Sequence, residues 1–331
     1  PLASKAEAKP GEMARFLALL SLLGLADGLS PRMRITRREL GGVVGGGLLL
    51  PTLSGPALAA GQPLKGDVVV IGAGGKTGLE CVRYCVANGR SVRACTRSGD
   101  FDALELLGTS TSLVKPGKTD VTQPVSLPPS VAGASLVIFA ASASKSGGPP
   151  ASVDNAGLVN TARACVDAKV PRLVVVSSGA VTKPSSPVYL FLNLFGGIMA
   201  EKIAGEDAVR ALYASSAPPE LAYTIIRPGG LTTDPPRGAG ALELNQGDDK
   251  SGRISRADVA ALCLECAASK EAARATFECY DADTAQPLKS VGVSNILKRT
   301  NQEDGAVYVS GRECRGPDFS TLFAQLKADG A

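Results

Sequence analysis

The 331-residue chain contains no histidine and no tryptophan, and only 4% of its residues are aromatic. Without histidine there is no imidazole general base, no Ser-His-Asp triad and no histidine-ligated zinc. An excess of one charge sign is also missing over most of the length. Residues 1–60 carry seven Lys/Arg against four acids, while the remainder holds 28 basic against 27 acidic residues. No basic stripe marks a nucleic-acid surface, so no nucleic-acid partner is expected. The eight cysteines, at 81, 85, 95, 165, 263, 266, 279 and 314, show no second pair at zinc-finger spacing. Cys263-Leu-Glu-Cys266 lies in an alanine-rich helical pattern, and Cys81 and Cys85 are one helical turn apart. They read as small buried residues in a reducing compartment, with a redox-sensitive pair at 263/266 as the alternative.

What is present centres on Asp67-Val-Val-Val-Ile71 followed by Gly72-Ala-Gly-Gly75-Lys-Thr-Gly78. A β-branched strand runs into a glycine-rich turn, and Leu79, Val82, Val86 and Ala87 then recur at helical spacing. Glycines allow a tight turn and close backbone approach to phosphate, and the helix N-terminus offers unpaired N–H groups and partial positive charge. The candidate dinucleotide cradle is therefore Gly72, Gly74, Gly75, Lys76, Thr77 and Gly78. Its register is G-x-x-G-x-x-G; the G-x-G-x-x-G register from Gly72 and Gly74 meets Thr77 where glycine or alanine is needed.

Strand and helix patterns alternate from Asp67 onward. Strands are predicted at 67–71, 91–96, 112–115, 135–140, 172–177, 222–226 and 275–280, with helices at about 76–88, 153–168, 187–213 and 256–268. Continuous apolar strands between helices imply an α/β fold: a single Rossmann-type doubly wound parallel sheet with helices on both faces. Residues 63–331 would form this NAD(P)-binding domain, with a surface insertion at about 281–315 and a short closing helix at 319–327.

Residues 1–62 read as an N-terminal targeting extension, disordered or cleaved. An apolar segment, Ala14 to Leu23, precedes Arg32, Arg34, Arg37 and Arg38; a glycine-diluted apolar run and Ala57-Leu-Ala-Ala60 follow. Thr36-Arg37-Arg38-Glu39-Leu40 resembles a twin-arginine signal, and the whole resembles the bipartite import signal of a thylakoid protein. A single transit peptide is one alternative, and a membrane anchor at 41–60, interrupted by Pro51, Pro56 and six glycines, is another.

The end of the second strand bears on the coenzyme. An NAD-specific fold places Asp or Glu there for the ribose 2′-OH; this chain has Thr96-Arg97-Ser98. A guanidinium with flanking hydroxyls suits the 2′-phosphate of NADP(H), against the alternative of a solvated arginine. Asp120 and Val121 follow the third strand, and Ala140 and Ala141 end the fourth. Ser177 and Ser178 end the fifth strand, where a hydroxyl can bond a substrate carbonyl. Pro228 and Gly229 end the sixth, beside the expected nicotinamide pocket.

The order of these motifs resembles the atypical short-chain dehydrogenase/reductases. Leu173 to Ser178, Tyr189 to Gly196 with Lys202 and Glu206, Ala222 to Leu231, Asp234-Pro-Pro236 and Gly252 to Val259 are similar to the plastid and cyanobacterial NAD(P)-binding subgroup related to flavin and biliverdin reductases. The resemblance implies a reductase fold, a family lysine at Lys202 that holds the nicotinamide ribose, and a plastid setting, thylakoid-associated or lumenal, with the stroma as alternative. It departs from the family at the acid: four residues before Lys202 stands Ile198, where Tyr-x-x-x-Lys requires tyrosine. Tyr189 is the nearest other phenol, 13 residues before Lys202. The expectation is an NADPH-dependent reductase of a flavin- or quinone-like acceptor, with Ser178 and Lys202 as the catalytic pair. The alternative is a non-catalytic NADP-binding redox sensor or structural subunit of a plastid complex, with a thylakoid-associated protein partner or membrane association through the apolar 188–199 segment.

Overall fold

A computed structural model of the chain describes residues 66–108, 112–144, 147–194, 196–291 and 309–330. The expected targeting extension and residues 292–308 of the expected insertion lie outside the described residues.

Strand β1 (Asp67–Ile71) leads into helix α1 (Lys76–Ala87), then β2 (Val92–Thr96), the short α2 (Ala103–Leu107) and β3 (Val114–Lys118). Next come α3 (Leu127–Val131), β4 (Ala134–Phe139), a π-helical stretch at Ala151–Gly157, α4 (Leu158–Asp167) and β5 (Arg172–Val176). Two helices follow, α5 (Pro187–Asn193) and α6 (Ile198–Ser216), then β6 (Ala222–Pro228) and β7 (Gly230–Thr232). The remainder comprises β8 (Leu242–Asn245), β9 (Lys250–Ser251), β10 (Arg253–Ser255), α7 (Arg256–Ala268), β11 (Ala275–Asp281), β12 (Gln286–Pro287) and α8 (Phe319–Phe323).

Eight strands form one sheet in the order β3-β2-β1-β4-β5-β6-β11-β8. The first seven run parallel, as expected; β8 adds an antiparallel edge beside β11. The sheet divides the core in two, because alternate residues of a strand face opposite sides. Val68 and Val70 join Cys81, Cys85, Cys263 and Cys266 on one side. Val69 and Ile71 join Leu158, Ala162, Val209 and Tyr213 on the other. Helix α7 runs as its sequence predicts: the Ser255 hydroxyl accepts the Asp258 amide at 3.0 Å, and ten of its residues are buried.

Two expectations are corrected. The predicted helix 187–213 is two helices bent by 99°. Gly196 and Gly197 adopt φ of +72° and +76°, and the Asn193 side chain takes the amides of Met199 and Ala200, so the chain stops and restarts. Among the described residues no single helix is long and apolar enough to cross a membrane.

The region 281–315 is not a simple surface insertion. Strand β12 pairs with β9, Thr284 Oγ1 accepts the Arg253 amide at 2.8 Å, and Leu288 is buried against Ala180, Val181 and Met199. At its far end Cys314 bridges to Leu244, and the buried Lys250 ammonium lies 2.5 Å from Glu243 and 3.0 Å from Glu313. These contacts join residues far apart in sequence, so no local pattern announces them.

Candidate coenzyme and substrate site

Parallel strands bring their carboxyl ends to one edge of the sheet, and the order in which strands are added reverses between the parallel neighbours β1 and β4. A groove of about 440 Å³ opens there. Of the predicted residues, Gly72, Gly74, Gly75, Arg97, Asp120, Val121, Ala140 and Ala141 line it. Thr96, Ser98, Thr119, Ser142 and Val153 line it too.

The glycine loop is built for close approach. Gly72 has φ +86°, and a Cβ on it would stand 2.7 Å from the Ala141 amide nitrogen. The amides of Gly72 and Ala73 both donate to the Cys95 carbonyl, which fastens the loop to β2. Lys76, Thr77 and Gly78 do not line the groove; they form the first turn of α1. That turn has no side-chain cap and no acidic residue, so its N–H groups keep their capacity for an anion. Gly78 is needed for packing: a Cβ there would collide with the Gly72 carbonyl. The Thr96 hydroxyl accepts the Gly99 amide and donates to the Asp100 carbonyl, shaping the turn that carries Arg97. Asp120 Oδ1 is held by the amide and hydroxyl of Thr122, which fixes the turn before Val121. The residues present therefore fit a dinucleotide: a backbone cradle too tight for side chains, an uncapped helix start and a cation beside hydroxyls.

Ser177 and Lys202 do not line the groove directly. Ser177 Oγ donates to Glu206 Oε1 at 2.5 Å, and Lys202 Nζ lies 2.7 Å from Asp154 Oδ1. Asp154, buried and not foreseen, also accepts the Ser142 hydroxyl and the Ala143 amide, each at 2.8 Å. It links the lysine to the groove wall at Ser142. A lone aspartate after Pro149-Pro150-Ala-Ser-Val offers no sequence signal for this role. Tyr189 packs with Val188 and Leu192 against the buried Ala180, Val181, Met199 and Leu288.

A second cavity of about 240 Å³ lies at the ends of β5 and β6. Ser178, Pro228 and Gly229, all predicted, line it together with Gly179, Val188, Leu192, Gly252 and Arg253. Gly179 donates its amide to the Pro228 carbonyl at 2.8 Å, closing the floor between the two strand ends. Among the described residues no cluster of His, Cys, Asp or Glu could hold a metal ion.

Residues 72–270 match the model of the NAD(P)H-binding family. An uncharacterized chloroplastic protein of Arabidopsis thaliana is 32% identical over 213 residues, covering 62% of this chain and 72% of that protein. The chloroplastic Protein TIC 62 of Pisum sativum is 28% identical over 256 residues; the match covers 70% of this chain but only 46% of that protein. Among solved structures, the oxidoreductase ylbE of Lactococcus lactis superposes with a TM-score of 0.54 at 19% identity, covering 72% of this chain and all of that one. ChuY, an anaerobilin reductase of Escherichia coli O157:H7, does so at 0.51 and 21%, covering 67% and 99%. At these identities the superpositions establish the fold. By the family match, the plastid relatives and the sheet order, the chain belongs to the NAD(P)H-binding family, as an atypical short-chain dehydrogenase/reductase of the plastid type.

Proposed function

We propose that the chain is an NADPH-dependent reductase of a flat, electron-poor acceptor such as a flavin or quinone, acting in the plastid. The observation that carries this is the second cavity at the same sheet edge as the coenzyme groove, lined by apolar Val188, Leu192, Pro228 and Val291, by polar Arg253, Thr284 and Gln286, and by glycine backbone. Bound NADPH supplies the hydride. Arg97, with Thr96 and Ser98, favours a 2′-phosphate over a bare 2′-hydroxyl. Ser178 offers a hydroxyl in the acceptor cavity, and Val188, Leu192 and Pro228 exclude water and orient a planar ring. Lys202, braced by Asp154, stands near the groove wall that Asp154 reaches through Ser142. With Ile198 in place of a tyrosine acid, the site suits acceptors whose proton comes from solvent. The chloroplastic names of the relatives support the plastid location.

A second reading is a non-catalytic NADP-binding subunit of a plastid assembly. The likeness to part of TIC 62 favours it, as do Leu190 and Leu194, exposed by 57% and 69% beside the cavity helix α5 and suited to a thylakoid-associated partner or a membrane surface. Steady-state oxidation of NADPH and of NADH with a panel of flavins and quinones separates the two. Turnover with NADPH preferred supports the reductase; tight NADPH binding without turnover of any acceptor supports the subunit.

A further inference from the structure

Three buried carboxylates, Glu206, Asp248 and Glu278, lie outside the coenzyme groove and are joined in a ring. Ser177 Oγ donates to Glu206. Arg227 donates from Nη2 to Glu206 Oε2 at 2.6 Å and from Nη1 to Glu278 Oε1 at 3.2 Å. Glu278 Oε2 accepts the amides of Gly247 and Asp248 at 3.1 and 2.9 Å. The Asp248 carboxylate then returns to the starting segment: Oδ1 accepts the Ala180 amide at 2.5 Å, and Oδ2 accepts the amide and hydroxyl of Thr182 at 2.9 and 2.8 Å.

The ring thus begins at residue 177 and ends at residues 180 and 182. Ser178 and Gly179, which line the second cavity, lie between its two anchors. Ala180 is buried with φ +69°, a left-handed conformation that a Cβ strongly disfavours. Nothing in Ala180 itself selects that conformation, so the surroundings must impose it. Asp248 is the group in contact with its amide.

We propose that Asp248 is a positioning residue for the acceptor cavity: from the turn between β8 and β9 it holds Ala180 left-handed and so sets Ser178 and Gly179 at the cavity wall. This rests on the second cavity being the acceptor's site. The residue type follows from the donor count. Two carboxylate oxygens serve three donors on Ala180 and Thr182, whereas an asparagine offers one oxygen and turns an N–H₂ toward an N–H. Arg227 donates hydrogen bonds to Glu206 and Glu278, and Glu278 accepts the Asp248 amide, so the Asp248 side chain acts from a rigid base.

The test compares wild type, Asp248→Asn, Ala180→Gly and the double variant. Three measurements are made: NADPH affinity by coenzyme fluorescence, steady-state kinetics with riboflavin as acceptor, and hydrogen exchange of the peptide spanning 177–182. Asp248→Asn raises the riboflavin KM and the exchange rate at Ala180 and Thr182 by about tenfold or more, the scale of a lost buried hydrogen bond, with NADPH affinity within about twofold of wild type. Ala180→Gly, which accepts the left-handed conformation unaided, recovers at least about a third of both losses in the double variant. Should Asp248→Asn not fold, Thr182→Val removes one of the three donors and gives the same pattern at about threefold. Unchanged exchange in 177–182, or NADPH affinity falling in step with the riboflavin KM, overturns the proposal. If wild type reduces no acceptor, the reductase reading falls, while the exchange data still decide whether Asp248 positions the loop.

Discussion

Glu278 is the group whose pH dependence exposes the buried ring. Burial pushes its carboxyl up from 4.5 to about 7, and the neighbouring Asp248 charge adds to this, against the pull of Arg227 and the amides of Asp248 and Gly247. In the folded chain Glu278 therefore holds its proton to about pH 7, whereas in the unfolded chain it releases it near 4.5. The folded state binds more protons between these values, so this contribution to stability is complete below pH 4.5 and lost as pH rises through about 7. The displacement from 4.5 to about 7, at about 1.4 kcal/mol per pH unit, is worth about 3 kcal/mol. Glu278→Gln keeps the shape and abolishes the titration. Urea unfolding followed by far-UV circular dichroism, run from about pH 4.5 to about pH 8, then gives a stability difference between wild type and variant that moves by about 3 kcal/mol. Wild type loses ground as pH rises. Glu313 does not interfere: burial pushes it up, but the Ser310 amide and Lys250 hold it down at about 2, so its effect appears only in more acid solution. A difference that stays flat across this range refutes the account of Glu278 as a carboxyl kept neutral by burial.

Other substitutions address the remaining parts of the molecule. Arg97→Ala weakens NADPH binding by about 10- to 100-fold and NADH binding by less than about threefold, measured by fluorescence titration, because only the 2′-phosphate loses a charge-assisted partner. Gly78→Ala destabilises the fold by about 1–3 kcal/mol and lowers coenzyme affinity, since the new Cβ meets the Gly72 backbone rather than a side chain that can move. Phe323→Ala, at a buried ring tilted against Phe277 and stacked on Phe319, costs about 3–5 kcal/mol in urea unfolding and frees the C-terminal helix. All eight cysteines are free and buried, and burial pushes Cys266 up to about 12. A thiol reagent such as Ellman's then finds almost none reactive in the native protein and all of them after denaturation.

Most of the strand starts and the coenzyme groove were legible in the sequence because each strand end carries its own local signal. The cradle from Gly72 to Gly78 needs glycine at set positions, and Arg97 and Ala140 directly follow β2 and β4, whereas Asp120 stands two residues beyond the largely polar β3. The second cavity was legible only at its floor. Ser178, Pro228 and Gly229 stand at strand ends, but Gly252, Arg253 and Thr284 arrive from the link between β9 and β10, from β10 and from the turn after β11. The break in the predicted helix at 187–213 was written as Gly196-Gly197, yet its apolar pattern continues across them, and periodicity does not register a bend. Asp154 and Asp248 carried no motif, since a buried carboxylate is selected by donors that converge on it from distant segments.

The sequence by itself determined the parallel sheet, the dinucleotide cradle, an arginine in place of an acid after the second strand and isoleucine in place of tyrosine four residues before Lys202. Each of these depends on residue type at a short, fixed spacing. Only the tertiary structure decided that Lys202 leans on Asp154, that Ser177 turns to Glu206, that residues on both sides of 292–308 join the fold, and that Asp248 grips the loop bearing Ser178. Those are meetings of groups 29 to 68 residues apart, or of strand edges, and they exist only once the sheet has assembled.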